Sequence, residues 1–205
     1  MNGPMLTATL DRPDIASVEV LHLGDDPKEM AEALARVAAQ VDLIVTTGGL
    51  SVGAADHVKP VLRALGLRME FEKVAIKPGK PVSLGTMGGA VWLGLPGNPV
   101  SAFVTWAVFG ARVLDRLTGC DQLITAPRTA VLATSLAHRP GRCEFRFARV
   151  AGTDGHGRQI LSCPDATHSA RVLQMAGTDG LILIPAETEI LPQGGLVDFW
   201  PLADC

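Results

Sequence analysis

What this chain lacks closes off several classes of function. No apolar run approaches the roughly 20 residues of a membrane-spanning helix, and no stretch has the build of a signal peptide. Positive charge is not in excess. The formal net charge is −3, which argues against a broad basic face for nucleic acid but leaves room for a local cationic pocket. No Cys-x-x-Cys pair occurs, and Cys120, Cys143, Cys163 and Cys205 are dispersed. Zinc and a disulfide framework are therefore not expected, and reduced thiols in a cytoplasmic protein are. Repeats and low-complexity tracts are missing too. What remains is a globular composition, 205 residues with 47% hydrophobic and 19% charged, enough for one large domain or two small ones.

The stretch that organises the rest runs from Asp42 to Asp56. Asp42 to Thr47 is a short β-branched run, expected as a strand buried on both faces. It stops at Gly48-Gly49 and passes through Leu50-Ser51-Val52-Gly53 to the carboxylate of Asp56. Glycines there allow either a plain βα turn or a loop whose N–H groups a ligand can approach without a Cβ in the way. Asp56 is likewise a ligand or a cap for the helical pattern Val58, Val61, Leu62 and Leu65, which Gly66 closes. His57 is expected on the surface.

Upstream, Asn2-Gly3-Pro4 reads as a helix start with Met5, Leu6 and Leu10 on its apolar face. No strand precedes it, so the chain is expected to be a fragment or to have its start placed late. Val18 to Leu23 reads as a strand. Asp26 then caps a helix that has Pro27 at its first position and extends to Gln40. Capping explains Asp26 but not Asp25, which follows that strand's carboxyl end.

Downstream, Met69 to Val74 alternates as a half-buried strand. Ala75-Ile76-Lys77-Pro78-Gly79-Lys80-Pro81 sets two lysines on Pro-Gly turns, either a solvated turn or a stiff cationic corner for an oxyanion or phosphate. Val82 to Gly85 and Ala90 to Leu93 are strands joined at Met87-Gly88-Gly89. The second glycine loop is Gly94-Leu95-Pro96-Gly97-Asn98-Pro99-Val100-Ser101. Asn98 fits an N-cap and Pro99 the first position of a helix running towards Leu117 and Gly119. Such an N-terminus favours an anion, and Ser101 adds a hydroxyl. Two glycine loops, the lysine corner and two carboxylates at strand ends point to a phosphorylated or oxyanionic ligand with a divalent cation.

From Asp121 helical periodicity fades. Arg128–Ala133, Cys143–Val150, Gln159–Ser162, Gly180–Pro185 and Leu196–Trp200 read as strands, and Ser169–Met175 as one short helix. His138, His156 and His168 show no ligand spacing and are expected on the surface.

Together GDDP (Gly24–Pro27), TTGGLSVGAAD (Thr46–Asp56), AIKPGKPVSLG (Ala75–Gly85) and GLPGNPVSAF (Gly94–Phe103) resemble the molybdopterin molybdenumtransferase family, MoeA and the gephyrin E domain. SARVLQMAGTDGLILIP (Ser169–Pro185) and Gly195–Trp200 resemble that family's C-terminal β domain. The resemblance covers essentially the whole chain. It implies a three-layer α/β domain of the molybdopterin-binding type that lacks its first strand (residues 1–120), then a small β-barrel-like domain (121–205).

The implied reaction inserts molybdate into adenylylated molybdopterin with release of AMP. Asp25 and Asp56 would be the catalytic acidic pair holding Mg²⁺. Gly48, Gly49, Ser51 and Gly53 would cradle the pterin phosphate, with Lys77, Lys80 and Ser101 for molybdate or phosphate. Pro96, Gly97, Asn98 and Pro99 would shape the pocket. The family has about two further upstream domains and a Thr-Gly-Asp-Glu motif that this sequence does not show. Its site forms between subunits of a homodimer, so this chain is expected to carry part of one and to turn over little alone. The family's arginine two residues after its Phe is here Phe147, with Arg146 and Arg149 beside it. The rival readings are a non-catalytic pterin- or partner-binding module and a molybdopterin adenylyltransferase. The adenylyltransferase is also a possible partner.

Overall fold

Caps, prolines and glycines set the helix boundaries of the first part of the chain. In the computed structural model, which describes residues 2–49, 57–120, 127–164 and 172–202, α1 (Asn2–Thr9) has Pro4 in its first turn. Helix α2 (Pro27–Ala38) starts behind Asp26, whose Oδ1 accepts the main-chain N–H of Lys28 at 2.7 Å and of Glu29 at 3.1 Å. Strand β1 (Leu43–Thr47) follows, then α3 (Val58–Ala64), after which Gly66 takes φ +89°. The next strands are β2 (Arg68–Glu72), β3 (Ile76–Lys77), β4 (Ser83–Met87) and β5 (Ala90–Leu95). Helix α4 (Pro99–Thr105) continues through one π-helical turn, Trp106–Gly110, into α5 (Ala111–Leu117). A Cβ at Gly110 would collide with the Trp106 ring, so glycine is what lets the indole lie there.

These elements form two units, Met1–Val74 with Gly79–Cys120, and Ala75–Pro78 with Asp121–Cys205. In the first, the sheet order is β1-β5-β4-β2. β1 and β5 are parallel, with Ile44 opposite Trp92, and the other pairs are antiparallel. β4 and β5 are joined through Gly88 (φ +62°) and Gly89 (φ +98°), the two left-handed positions that a tight hairpin needs. On one face Ala90 and Trp92 pack with Ile44 against Met30 and Leu34 of α2 and Val61 and Leu62 of α3. By strand alternation Leu93 and Leu95 point to the other face, where α4 lies on β5 and α1 on α4. That is the three-layer α/β arrangement.

Two expectations fail here. Val18 to Leu23 forms no strand, and Val18, Val20, Leu21 and Leu23 are 40–49% exposed. A β-prone run becomes a strand only where a neighbour takes up its N–H and C=O groups. β1 is half-buried rather than covered on both faces, with Ile44 its one buried residue, and it is an edge strand, since among the described residues only β5 pairs with it.

The second unit contains β3 and β6 (Arg128–Leu132), β7 (Leu136–Ala137), β8 (Cys143–Thr153) and β9 (Gln159–Ser162). A 3₁₀ turn at Val172–Gly177 precedes β10 (Gly180–Ile184), β11 (Ile190–Leu191) and β12 (Leu196–Pro201). β8 serves two neighbours: Glu144 to Ala148 pair with β10, and Arg149 to Thr153 pair with β9. The ring β8-β10-β12-β6-β9 therefore closes on itself as a barrel. Ala130, Leu132, Ala148, Leu161, Ile182, Ile184 and Phe199 fill it. Among the described residues no helix is long and apolar enough to cross a membrane.

Candidate functional site

The carboxyl ends of parallel strands β1 and β5 lie side by side, with Thr47 opposite Leu95. The chain leaves β1 through Gly48 (φ +87°) and Gly49 (φ +63°), a backbone that side chains other than glycine rarely adopt. It leaves β5 through Pro96 and Gly97. A Cβ on Gly97 would stand 3.3 Å from the Gly48 Cα, so the two loops touch through bare backbone. The Gly48 N–H donates to the Leu95 carbonyl at 3.4 Å, tying the first loop to the second strand. Asn98 caps α4, its Oδ1 accepting the Ser101 N–H at 3.2 Å and the Ser101 hydroxyl at 3.4 Å. Pro99 fills the first helical position. From α1, the Asn2 Nδ2 donates to the Gly97 carbonyl at 3.0 Å.

Gly48, Gly49, Pro96, Gly97, Asn98, Pro99 and Ser101 are thus brought together in the first unit. Ser101 is buried and its hydroxyl already serves the cap. Asp25 is exposed at the bend before α2, and since Asp26 does the capping its carboxylate is left without that duty. Ser51, Gly53 and Asp56 lie outside the described residues, as does His168. His57 occupies the N-cap position of α3 and makes no side-chain cap bond. Lys80 is an exposed residue of the first unit whose carbonyl accepts the Val74 N–H at 2.9 Å. Mg²⁺ takes hard oxygen donors and often needs only one or two carboxylates beside substrate phosphates. An exposed aspartate such as Asp25 fits that donor set, and among the described residues no cluster of three metal-ligating side chains occurs.

Lys77 belongs to the second unit, on β3. Its Nζ donates to Glu144 Oε2 at 3.1 Å. Glu144, with a side chain 1% exposed, also accepts Arg146 Nε at 2.9 Å on Oε1. Burial pushes the Glu144 carboxyl up, but the bond and charge of Arg146, followed by those of Lys77, outweigh it and hold the group below its usual value. His138 is not a surface residue. Its side chain is 1% exposed, with Nδ1 2.7 Å from the Thr188 carbonyl, Nε2 3.1 Å from that of Arg142, and Glu144 Oε2 at 3.7 Å. His156 is exposed, as expected.

Phe147 is buried opposite Leu181, on the face of β8 away from Ala148 and the barrel core. Arg146 does not stand in for the family's arginine, because it is buried on Glu144 and donates to the Ala137 carbonyl at 2.6 Å. The Arg149 guanidinium lies over Gly177. Burial pushes the Cys163 thiol up to about 11. Sequence reasoning missed Asn2, His138 and Glu144. Asn2 read only as a helix start, and nothing local marks a Glu or His whose partners are distant in sequence.

A family model described as "Probable molybdopterin binding domain" matches residues 1–116, and one described as "MoeA C-terminal region (domain IV)" matches 129–202. The molybdopterin molybdenumtransferase 2 of Mycobacterium tuberculosis is 35% identical over 207 residues, 98% of this chain and 50% of the relative. The molybdopterin molybdenumtransferase of Haemophilus influenzae is 41% identical over 132 residues, 62% of this chain and 32% of the relative. The crystal structure of the Pyrococcus horikoshii OT3 molybdopterin biosynthesis moeA protein superposes with a TM-score of 0.74 at 20% identity, over 98% of this chain and 46% of that one. At that identity the likeness speaks for the fold. The chain spans about half the length of the Mycobacterium tuberculosis relative. It belongs to the molybdopterin molybdenumtransferase (MoeA) family, of which it carries the molybdopterin-binding α/β domain and the C-terminal β region.

Proposed function

We propose that this protein works in molybdenum cofactor biosynthesis, gripping the phosphates of adenylylated molybdopterin while molybdate is inserted and AMP leaves. The observation that carries the reading is the backbone contact between Gly97 and Gly48 at the ends of adjacent parallel strands. Neither Gly49 nor Gly97 has a side chain of its own to cover its main-chain N–H, and open α/β sheets bind ligands at this edge. Gly49, with Ser51 and Gly53, holds the phosphate, while Gly48, whose N–H the Leu95 carbonyl takes, shapes the turn. Pro96, Gly97, Asn98 and Pro99 keep the second loop rigid, and Ser101 adds a polar wall. Lys80 offers an exposed ammonium to an oxyanion. Lys77, in the second unit, is a separate candidate for an oxyanion, steadied by Glu144 and 43% exposed along its side chain.

Asp25 and Asp56 would hold Mg²⁺, which would neutralise charge on the phosphate oxygens as the pyrophosphate bond breaks. Cytoplasmic location, a homodimer and an encounter with a molybdopterin adenylyltransferase belong to the same proposal. The second reading, a non-catalytic pterin-binding module, is favoured by Phe147 and by the commitment of Arg146 to Glu144.

The test, made on this chain joined to the family's upstream domains, is AMP release from adenylylated molybdopterin with and without molybdate, together with pterin binding. The enzyme reading expects molybdate-dependent release that Asp25→Ala and Asp56→Ala each abolish while circular dichroism is unchanged. Binding without release under either condition supports the module instead.

A further inference from the structure

Glu72, the last residue of β2, stands at the sheet edge that carries the glycine loops. β1 and β5 are parallel, and the antiparallel steps from β5 to β4 and from β4 to β2 restore the direction, so all three strands end at that edge. Glu72 Oε1 accepts the Lys59 Nζ at 2.9 Å, and Oε2 accepts the Arg63 Nη2 at 2.6 Å. Lys59 lies in the first turn of α3 with a side chain only 7% exposed, a place lysine takes when it is paired. The Lys59 bond, working against burial, holds the Glu72 carboxyl below its ordinary value.

Beyond Glu72 the chain turns through Lys73 at φ +71°, the one non-glycine residue with positive φ among the described residues. The Lys73 N–H donates to the Val82 carbonyl at 3.1 Å, and the Val74 N–H to the Lys80 carbonyl at 2.9 Å. Across the ladder Glu72 faces Ser83, whose hydroxyl donates to the Pro81 carbonyl at 3.1 Å. The main chain at Lys80 and Pro81 is thus held by the residues that follow Glu72 and by the one that faces it. A buried ion pair is seldom a better stabiliser than apolar packing, and in some proteins its use is to fix one arrangement. We infer that Lys59 and Glu72 are a positioning pair for Lys80: by fastening the end of β2 to α3 they set the strand end that holds the Lys80 main chain, without touching the ligand. The inference rests on the assignment of Lys80 to an oxyanion made above.

The test is calorimetric titration with molybdate and with pyrophosphate, on this chain joined to the family's upstream domains. Lys80→Ala shows which of the two anions Lys80 serves. Lys59→Met keeps an unbranched apolar stem, and Glu72 retains Arg63, so circular dichroism is expected to be unchanged. Binding of that same anion is expected to weaken about tenfold, the low end of what losing an outer support costs a metal-binding group. In a Lys80→Ala background Lys59→Met is expected to add nothing, and Lys59→Arg is expected to recover most of the loss. Should Lys59→Met unfold, Glu72→Gln, which keeps the shape and removes the charge, is expected to give the same non-additive loss. Unchanged binding, or a loss that simply adds to that of Lys80→Ala, would leave the pair a clamp on the fold alone and overturn the inference while the role of Lys80 stands. If Lys80→Ala weakens neither anion, Lys80 is no oxyanion ligand and the inference falls with that assignment.

Discussion

Glu144 shows how much one side chain can hold. From a nearly sealed position it pairs with Arg146 and with Lys77, and removing a partner from a buried pair leaves its charge uncompensated. Glu144→Ala is expected to destabilise the second unit by about 3–5 kcal/mol, measured by denaturant unfolding. Because the folded carboxyl is held below its ordinary value, its stabilisation is fully present above the unfolded value of about 4.3. It is lost as pH falls through the folded value. The stability gap between wild type and Glu144→Gln is therefore expected to be widest above about pH 4.3 and to shrink in stronger acid. A gap that stays constant from pH 6 to pH 3 would mean that the carboxylate is not what Arg146 and Lys77 recognise. None of this was legible in the sequence, where Glu144 sits in a strand and its partner Lys77 is 67 positions away.

At the scale of elements, local rules carried far. Asp26-Pro27 and Asn98-Pro99 mark helix starts wherever the chain is, because a cap satisfies N–H groups within its own turn. Asp26→Ala is accordingly expected to cost about 1 kcal/mol, read as a lower melting temperature, whereas Asp25→Ala, with no capping bond to lose, is expected to leave it unchanged. Equal shifts would reverse the roles of the two aspartates. The glycine loops were legible for the same reason: Gly48, Gly49, Gly88 and Gly89 all take positive φ. Val18 to Leu23 shows where such reasoning stops. Its β-branched residues favour a strand, but a strand is a relation between two segments, and propensity cannot supply the second. The pair β7 and β11 was missed for a like reason, being only two residues on each side, with Leu136 opposite Leu191.

For the whole molecule, the change of texture near residue 121 signalled a β region, yet barrel closure was out of reach. It depends on β8 switching partner between Ala148 and Arg149, with a register shift between Val150 and Gly152. The α/β unit was more readable because its candidate site residues gather at the ends of neighbouring strands, each followed by its own glycines. The account stands or falls on whether those glycines hold phosphate. Backbone amide shifts followed by NMR as AMP is titrated test this most directly, on the wild-type protein and on Gly97→Val, whose added Cβ meets the Gly48 Cα. The largest shifts are expected at Gly48, Gly49, Gly97, Asn98 and Ser101, and Gly97→Val is expected to lose them. Shifts confined to other parts of the chain, or a Gly97→Val protein that binds AMP as well as wild type, would contradict it.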